Sequence, residues 1–144
     1  MKKTIIASCL SLCILCSCSQ QQATVEGCYM GTVGQDSVFL SVQTQNGQAS
    51  GQLTYQFYEK DQNRGTFEGR LTGDTLLLLD YTFMSEGVES ERQVAYLLQN
   101  DGTLSEGYGE MEDQEGKMKF RNTDNLSFGD GFILQKADCD VFPQ

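Results

Sequence analysis

The clearest chemistry in the chain belongs to four residues near its start. Leu15-Cys16-Ser17-Cys18 sets a leucine three positions before a cysteine, with small residues between. That is the pattern of a lipobox, in which diacylglycerol is attached to the cysteine sulfur and signal peptidase II then cleaves before that residue. The residues upstream agree. Lys2 and Lys3 give a positive start, and Ile5 to Cys16 is apolar. The apolar stretch is too short for a spanning helix of about 20 residues and right for a secretory leader. Ser19-Gln20-Gln21-Gln22 follows like a tether. The expectation is a lipoprotein signal peptide over 1–17, lipidation of Cys18 and a tether over 18–26. An ordinary secretory signal is the plainer alternative, and Leu10-Ser11-Leu12-Cys13 is a weaker second match. Two acyl chains, at roughly 0.8 kcal/mol per buried CH₂, suffice to hold a protein of this size on a bilayer.

Once leader and anchor are set aside, Cys28 and Cys139 remain. The envelope permits disulfides, and a bridge here would close a loop of roughly 110 residues, worth up to ~5 kcal/mol on the chain-entropy account. Two free thiols or intermolecular pairing are the alternatives. A metal site is disfavoured, because two lone cysteines without histidine make half a set of zinc ligands. An intrachain, structural disulfide is expected, and no cofactor.

Other chemistries are excluded or weakened by what is missing. The 144 residues hold 10 Lys+Arg, 20 Asp+Glu and no His, for a net charge of −10. Removing the leader loses Lys2 and Lys3 and no acid. Such a balance argues against a nucleic-acid partner, since binding phosphates needs clustered Lys and Arg. Without His, and with the mature cysteines assigned to a bridge, a nucleophile–base pair has no candidate. The chain reads as a non-enzyme.

Stepping along residues 27–144, turn signals recur at Gly34-Gln-Asp36, Asn46-Gly47, Asp61-Gln-Asn-Arg64, Gly73-Asp74, Ser85-Glu-Gly87, Asp101-Gly102 and Gln114-Glu-Gly116. Between them apolar residues alternate, as in Leu53, Tyr55, Phe57 and Val94, Tyr96, Leu98. Period two in short runs marks an all-β chain. Residues 91–99 also fit a short helix, but their β-forming neighbours favour a strand. Nine strands are expected: 27–33, 37–45, 48–58, 65–72, 74–84, 91–99, 103–112, 116–121 and 131–137. In simple succession they form a single antiparallel up-and-down barrel or strongly curled meander; a sandwich is the alternative. Closure would leave no free edge. A disulfide at the chain ends requires an even strand count, so either one candidate is not a strand or 122–130 crosses the barrel end. Large inward candidates (Tyr55, Phe57, Phe67, Tyr81, Phe83, Tyr96, Phe120) suggest a filled interior or a small pocket. Gly107 and Gly109 are also expected inward, packing against an aromatic across the barrel.

In a meander successive turns alternate between the two ends. The turns at 46–47, 73–74 and 101–102 then share one rim and are tight. Those near 34–36, 59–64, 85–91 and 112–116 share the other and are expected to be longer. This second rim gathers Asp36, Glu59, Asp61, Glu86, Glu89, Glu91, Glu112, Asp113 and Glu115, with Arg92 beside them. The candidate binding rim is Asp36, Asp61, Glu86, Glu89, Glu91, Arg92, Asp113 and Glu115, centred on Glu86, Glu89, Glu91 and Arg92. It would attract a basic partner or a cationic ligand. The plain alternative is that these acids simply solvate turns. Calcium is not expected, because the acid and glycine spacing departs from a Ca²⁺ loop.

The segments Gly51-Gln-Leu-Thr-Tyr-Gln-Phe-Tyr-Glu-Lys60, Asp80-Tyr-Thr-Phe-Met-Ser-Glu-Gly-Val-Glu-Ser90 and Lys136-Ala-Asp-Cys139 resemble a group of uncharacterised small lipoproteins of the Bacteroidota. The resemblance covers most of 27–139 and implies an address without an activity. The shape expected is similar to lipocalin-like barrels, but the lipocalin Gly-x-Trp signature is absent, so an inherited hydrophobic pocket is not implied. The sequence thus points to a lipid-anchored outer-membrane lipoprotein, on the periplasmic face with surface exposure as the alternative. Its barrel would bind a small ligand or envelope protein at the acidic rim. The rival is an inhibitor-type protein capping a basic partner.

Overall fold

A computed structural model describes residues 24–60 and 62–143. The signal peptide, Cys18, most of the tether and Asp61 lie outside the described residues. The strands are β1 (Gly27–Val33), β2 (Asp36–Gln45), β3 (Gln48–Gln56), β4 (Asn63–Thr72), β5 (Leu76–Ser85), β6 (Val88–Leu98), β7 (Leu104–Tyr108), β8 (Met111–Gln114), β9 (Lys117–Phe120) and β10 (Ser127–Ala137).

Eight of them close an antiparallel barrel. β1 to β7 pair in succession, and β10 joins β7 to β1. The turns show why the chain folds back where it does. Asn46 and Gly47 both have positive φ, 52° and 76°, the type I′ geometry whose twist matches the flanking strands. Residues 91–98 lie in β6, so the strand reading holds over the helix.

The strand count needs correcting from nine to ten, and the parity question resolves with it. Residues 116–121 are not a wall strand. β8 and β9 form a hairpin inserted between β7 and β10, and β9 runs parallel to the start of β6, with Glu91 opposite Lys117 and Arg92 opposite Met118. Eight wall strands bring the ends together, with Cys28 opposite Ala137. The disulfide forms between Cys28 and Cys139, whose Cα atoms are 5.3 Å apart. Beyond it the last residues strap the outer wall. Phe142 packs edge-on to Phe39 at 5.7 Å, and Arg64 donates to the Pro143 carbonyl. The expectation of no free edge is also corrected, because the outer side of β8 is unpaired.

Inward positions fill the barrel. Val38, Leu40, Leu53, Leu77, Leu79, Tyr81, Val94, Tyr96, Leu104 and Leu134 are buried almost completely, each large enough to contribute about 1.5–3 kcal/mol of burial. Many outward positions on the wall are polar, Gln52, Glu68, Arg70, Asp80 and Gln93 among them, with Phe39, Leu76, Leu78 and Ile133 as apolar exceptions. An apolar inside with a polar outside is the reverse of a membrane-spanning barrel, whose lipid-facing band is apolar.

Gly107 and Gly109 do not sit as expected. In β7 the inward residues are Leu104 and Glu106, opposite Leu98 and Tyr96, so Gly107 faces out. A Cβ there would lie 2.6 Å from the Phe128 ring. The packing aromatic is therefore on the neighbouring β10 and outside the barrel, not across it.

Candidate functional site

The acidic rim is assembled by topology. The β1–β2, β3–β4 and β5–β6 turns all fall at one mouth, and the parallel register of β9 with β6 brings the β8–β9 tip level with the start of β6. Named contacts join adjacent pieces. The Tyr58 amide donates to the Asp36 carboxylate at 2.8 Å, tying the first turn to the β3–β4 loop. Phe57, Glu59, Lys60, Asn63, Ser85 and Glu86 line one open depression of about 670 Å³, which sets that loop beside the β5–β6 turn. Lys117 pairs with Glu91 at 2.8 Å, fixing the hairpin to β6; this pairing raises the lysine pKa.

The expected size difference between the two sets of turns is not found. The β1–β2 and β5–β6 connections are as tight as Asn46-Gly47, and the β3–β4 loop (57–62) at this mouth is matched by the β6–β7 connection (99–103) at the other; the β7–β10 excursion is the longest. The acidic mouth differs in chemistry instead. Glu59, Glu86 and Glu115 stand at its tips with φ of 54°, 51° and 57°, a region that side chains other than Asn, Asp and Gly seldom occupy. Val33, Tyr58, Met84, Val88, Tyr108 and Met118, six of the eight large apolar residues left exposed among the described residues, belong to strand ends or loops at this mouth. Val88 is 63% exposed.

The candidate rim residues now separate by what they touch. Glu86, Glu89 and Glu115 are exposed and make no ion pair among the described residues. Asp36 and Asp113 accept hydrogen bonds from the Tyr58 and Gly116 amides, so Asp36 braces the neighbouring β3–β4 loop and Asp113 its own turn. Glu91 is committed to Lys117. Arg92 is corrected from the rim to the interior: it lies opposite Tyr81 on the inward face, and its Nε is buried without a hydrogen-bond partner among the described residues.

Beneath the mouth lies a polar cluster that the sequence reading missed. Glu106 is 2% exposed. It accepts from the Tyr55 hydroxyl at 2.5 Å and from the Tyr108 hydroxyl at 2.6 Å. Tyr55 also shares a 2.9 Å hydrogen bond with Tyr96. Burial pushes the Glu106 carboxyl above the ordinary carboxylate range, while the two tyrosine bonds and the Arg92 charge work the other way. Burial likewise raises Tyr55 and Tyr96 well above the usual phenol value, and the neighbouring Glu106 charge adds to it. Tyr108 carries the cluster outward: its phenol, 42% exposed, closes over Glu106. A signal for Glu106 was present, because it shares the period of Leu104 and Tyr108, while Gly107 has no side chain to mark either face.

Three or more His, Cys, Asp or Glu grouped to hold a metal do not occur among the described residues. Chemically, the mouth offers unpaired carboxylates and apolar contact area around a shallow depression. The cluster below offers a buried carboxyl in a tyrosine hydrogen-bond network that reaches the surface at Tyr108. No protein-family model, curated protein or solved structure matches the chain.

Proposed function

We propose that the chain is a lipid-anchored protein of the cell envelope whose barrel recognises a basic protein surface at its acidic mouth. The observation that carries this reading is the coincidence, at one end only, of unpaired glutamates with most of the exposed apolar side chains. Patches of apolar residues rimmed by charge are what protein partners cover, and charge complementarity selects a partner rich in Lys and Arg. Interior packing favours this over a small molecule held in the lumen, because the inward positions are already filled. The depression lined by Phe57, Glu59, Lys60 and Glu86 suits one protruding Lys or Arg, whose cation would meet two carboxylates and an aromatic face, with Lys60 the one like charge on that lining.

The chain's direction supports the same arrangement. Thr24 lies beside Asn100, Asp101 and Gly102 at the opposite mouth, and the Val25 amide donates to Thr44 Oγ1 there. A tether rising from Cys18 therefore enters at the far end and leaves the acidic mouth pointing away from the bilayer.

The test is titration with a short peptide of alternating Lys and Leu, followed by amide chemical shifts. Shift changes should concentrate at residues 57–63 and 84–89 and weaken about tenfold, or ~1.4 kcal/mol, in a Glu59→Gln/Glu86→Gln/Glu89→Gln variant. An Asp74→Asn/Asp101→Asn control at the other mouth should bind normally. Equal binding by both variants overturns the assignment. Separately, Cys18→Ala should release the protein from membranes, and continued pelleting would refute the anchor.

A further inference from the structure

Barrel closure pairs both sides of every wall strand, but the hairpin leaves one strand half open. Among the described residues β8 pairs with β9 and with no other strand. The Arg121 amide donates to the Glu110 carbonyl at 2.9 Å, which sets the phase of this ladder. In an antiparallel pair hydrogen-bonded positions alternate with open ones. Glu112 and Gln114 therefore face β9 with their backbone groups, while the N–H and C=O of Met111 and Asp113 point outward.

We infer that this edge accepts an extended basic segment of a partner protein as an added strand. An edge strand is a ready template for another chain, and main-chain pairing of this kind supplies affinity while side chains supply choice. Here the choice is electrostatic. Glu110, Glu112, Asp113 and Glu115 run along the edge; Glu110 and Glu112 share the single guanidinium of Arg121 at 3.3 and 3.5 Å, and Asp113 accepts from the Gly116 amide, so the edge keeps an excess of negative charge. A second copy pairing β8 with β8 would set acids against acids, which is destabilising, so the edge disfavours self-association. An incoming strand with Lys or Arg opposite Glu112 and flanking positions meets opposite charge. Between them, an apolar residue would meet Met111, which is half-buried on the face shared with Phe120. The fitting segment thus alternates basic and apolar residues with period two. This inference uses main-chain groups of the hairpin and goes beyond the side-chain recognition proposed for the mouth.

The probe is the peptide acetyl-Lys-Val-Lys-Val-Lys-Thr-amide, with a Glu-for-Lys version as control, added to the intact disulfide-bonded chain. Amide hydrogen exchange is the readout. The basic peptide should slow exchange at Met111 and Asp113 by about tenfold or more, and the acidic one should not. Asp113→Pro removes an outward N–H without touching the bonds to β9 and should abolish protection, whereas Asp113→Ala should retain it. Met111→Pro gives a second block, and protection of the Arg121 amide reports that the hairpin is intact. Protection that survives both proline variants, or none in the wild type at millimolar peptide, overturns the inference. So does protection lost in Glu86→Gln/Glu89→Gln, which would place the peptide at the mouth instead. Slowing of β8 with protein concentration alone would show that a second copy is the occupant and would overturn it too.

Discussion

The two mouths of the barrel are built from similar turns and finished differently. At one, the chain ends are tied down: Cys28 is bridged to Cys139, Val25 is bonded to Thr44, and Asp101 accepts from the amide and hydroxyl of Thr103. Those two bonds hold the Asp101 carboxyl below its ordinary range. Asp101 is thus engaged within its own turn, while Asp74 at the same end stands exposed at φ 61°. At the other mouth Glu59, Glu86 and Glu115 occupy left-handed turn positions with Val88, Met84 and Tyr58 exposed between them. A turn needs neither glutamate nor bare apolar side chains. The contrast teaches that acidity alone does not separate a solvated turn from a recognition surface; what separates the two ends is the set of exposed apolar side chains that stands beside the acids at one of them.

The strongest way to break the contrast is to cut the staple. Replacing Cys28 and Cys139 by Ser should cost about 2–5 kcal/mol of stability, the usual range for a native bridge in a small domain, read as a lower urea midpoint. Amide exchange should rise first in β1 and β10 beside the stapled mouth. Peptide binding at the acidic mouth under native conditions should be kept. A matching loss of binding would show that the two ends are not independent.

Next in size is Glu106, which sits between them. Removing its carboxylate in Glu106→Leu strips the acceptor from Tyr108 and one acceptor from Tyr55, about 1–3 kcal/mol for each hydroxyl left unsatisfied. Glu106→Gln keeps an acceptor and removes the titration. The sign follows from burial, which raises the folded-state pKa of this acid above its unfolded value. Below the unfolded value, near pH 4.3 for a free glutamate, both states hold the proton and the contribution to stability is fully present. It is lost as pH rises through the raised folded-state pKa. Wild type should therefore fall in stability relative to Glu106→Gln between about pH 4.3 and neutrality, and a constant difference across that window would refute the buried, proton-holding role.

Smaller still is Gly131→Ala. A Cβ at Gly131 would run into the Tyr108 ring, so the ring must move and its bond to Glu106 must lengthen or break. The expected cost is about 1–3 kcal/mol, as for other overpacked sites. Tyr108 amide and ring signals should shift while the stapled mouth stays unchanged. Unaltered Tyr108 signals would mean that the ring is not held by this glycine.

How much of this was legible follows from where each signal resides. Asn46-Gly47 fixes a tight turn locally, and alternation in Leu53, Tyr55 and Phe57 fixes a face, so closure and the Cys28–Cys139 bridge could be read. The phase of β7 was marked only by the shared period of Leu104, Glu106 and Tyr108. Glu106 looks solvent-facing until Tyr55, from the distant strand β3, is brought by closure to join Tyr96 on the adjacent strand and Tyr108 on its own. Arg92 was misplaced although it shares the period of Val94, Tyr96 and Leu98, because a charge next to Glu91 reads as rim rather than as the inward face it shares with Tyr81. The β8–β9 excursion depends on a parallel register with β6, which no spacing rule records. The carboxy-terminal strap likewise rests on meetings such as Phe39 with Phe142, more than a hundred residues apart.

The finest test of the two mouths uses the turn that both share. Asn46-Gly47 and Glu86-Gly87 have the same pair of positive φ values, near 52° and 76° in one and 51° and 78° in the other. Asn tolerates that conformation because its short amide can bond locally, whereas Glu adopts it against its preference. Glu86→Asn should therefore stabilise the fold by about 0.5–1 kcal/mol, read as a higher melting temperature. If Glu86 is kept for its charge beside the depression with Glu59, the same variant should bind the Lys/Leu peptide more weakly. Asn46→Glu, the reciprocal change at the stapled mouth, should lower stability by a similar amount and leave binding alone. Glu86→Asn that is more stable and binds equally well would reduce the acidic turn to an ordinary one, and the difference between the two ends would then rest on the exposed apolar residues.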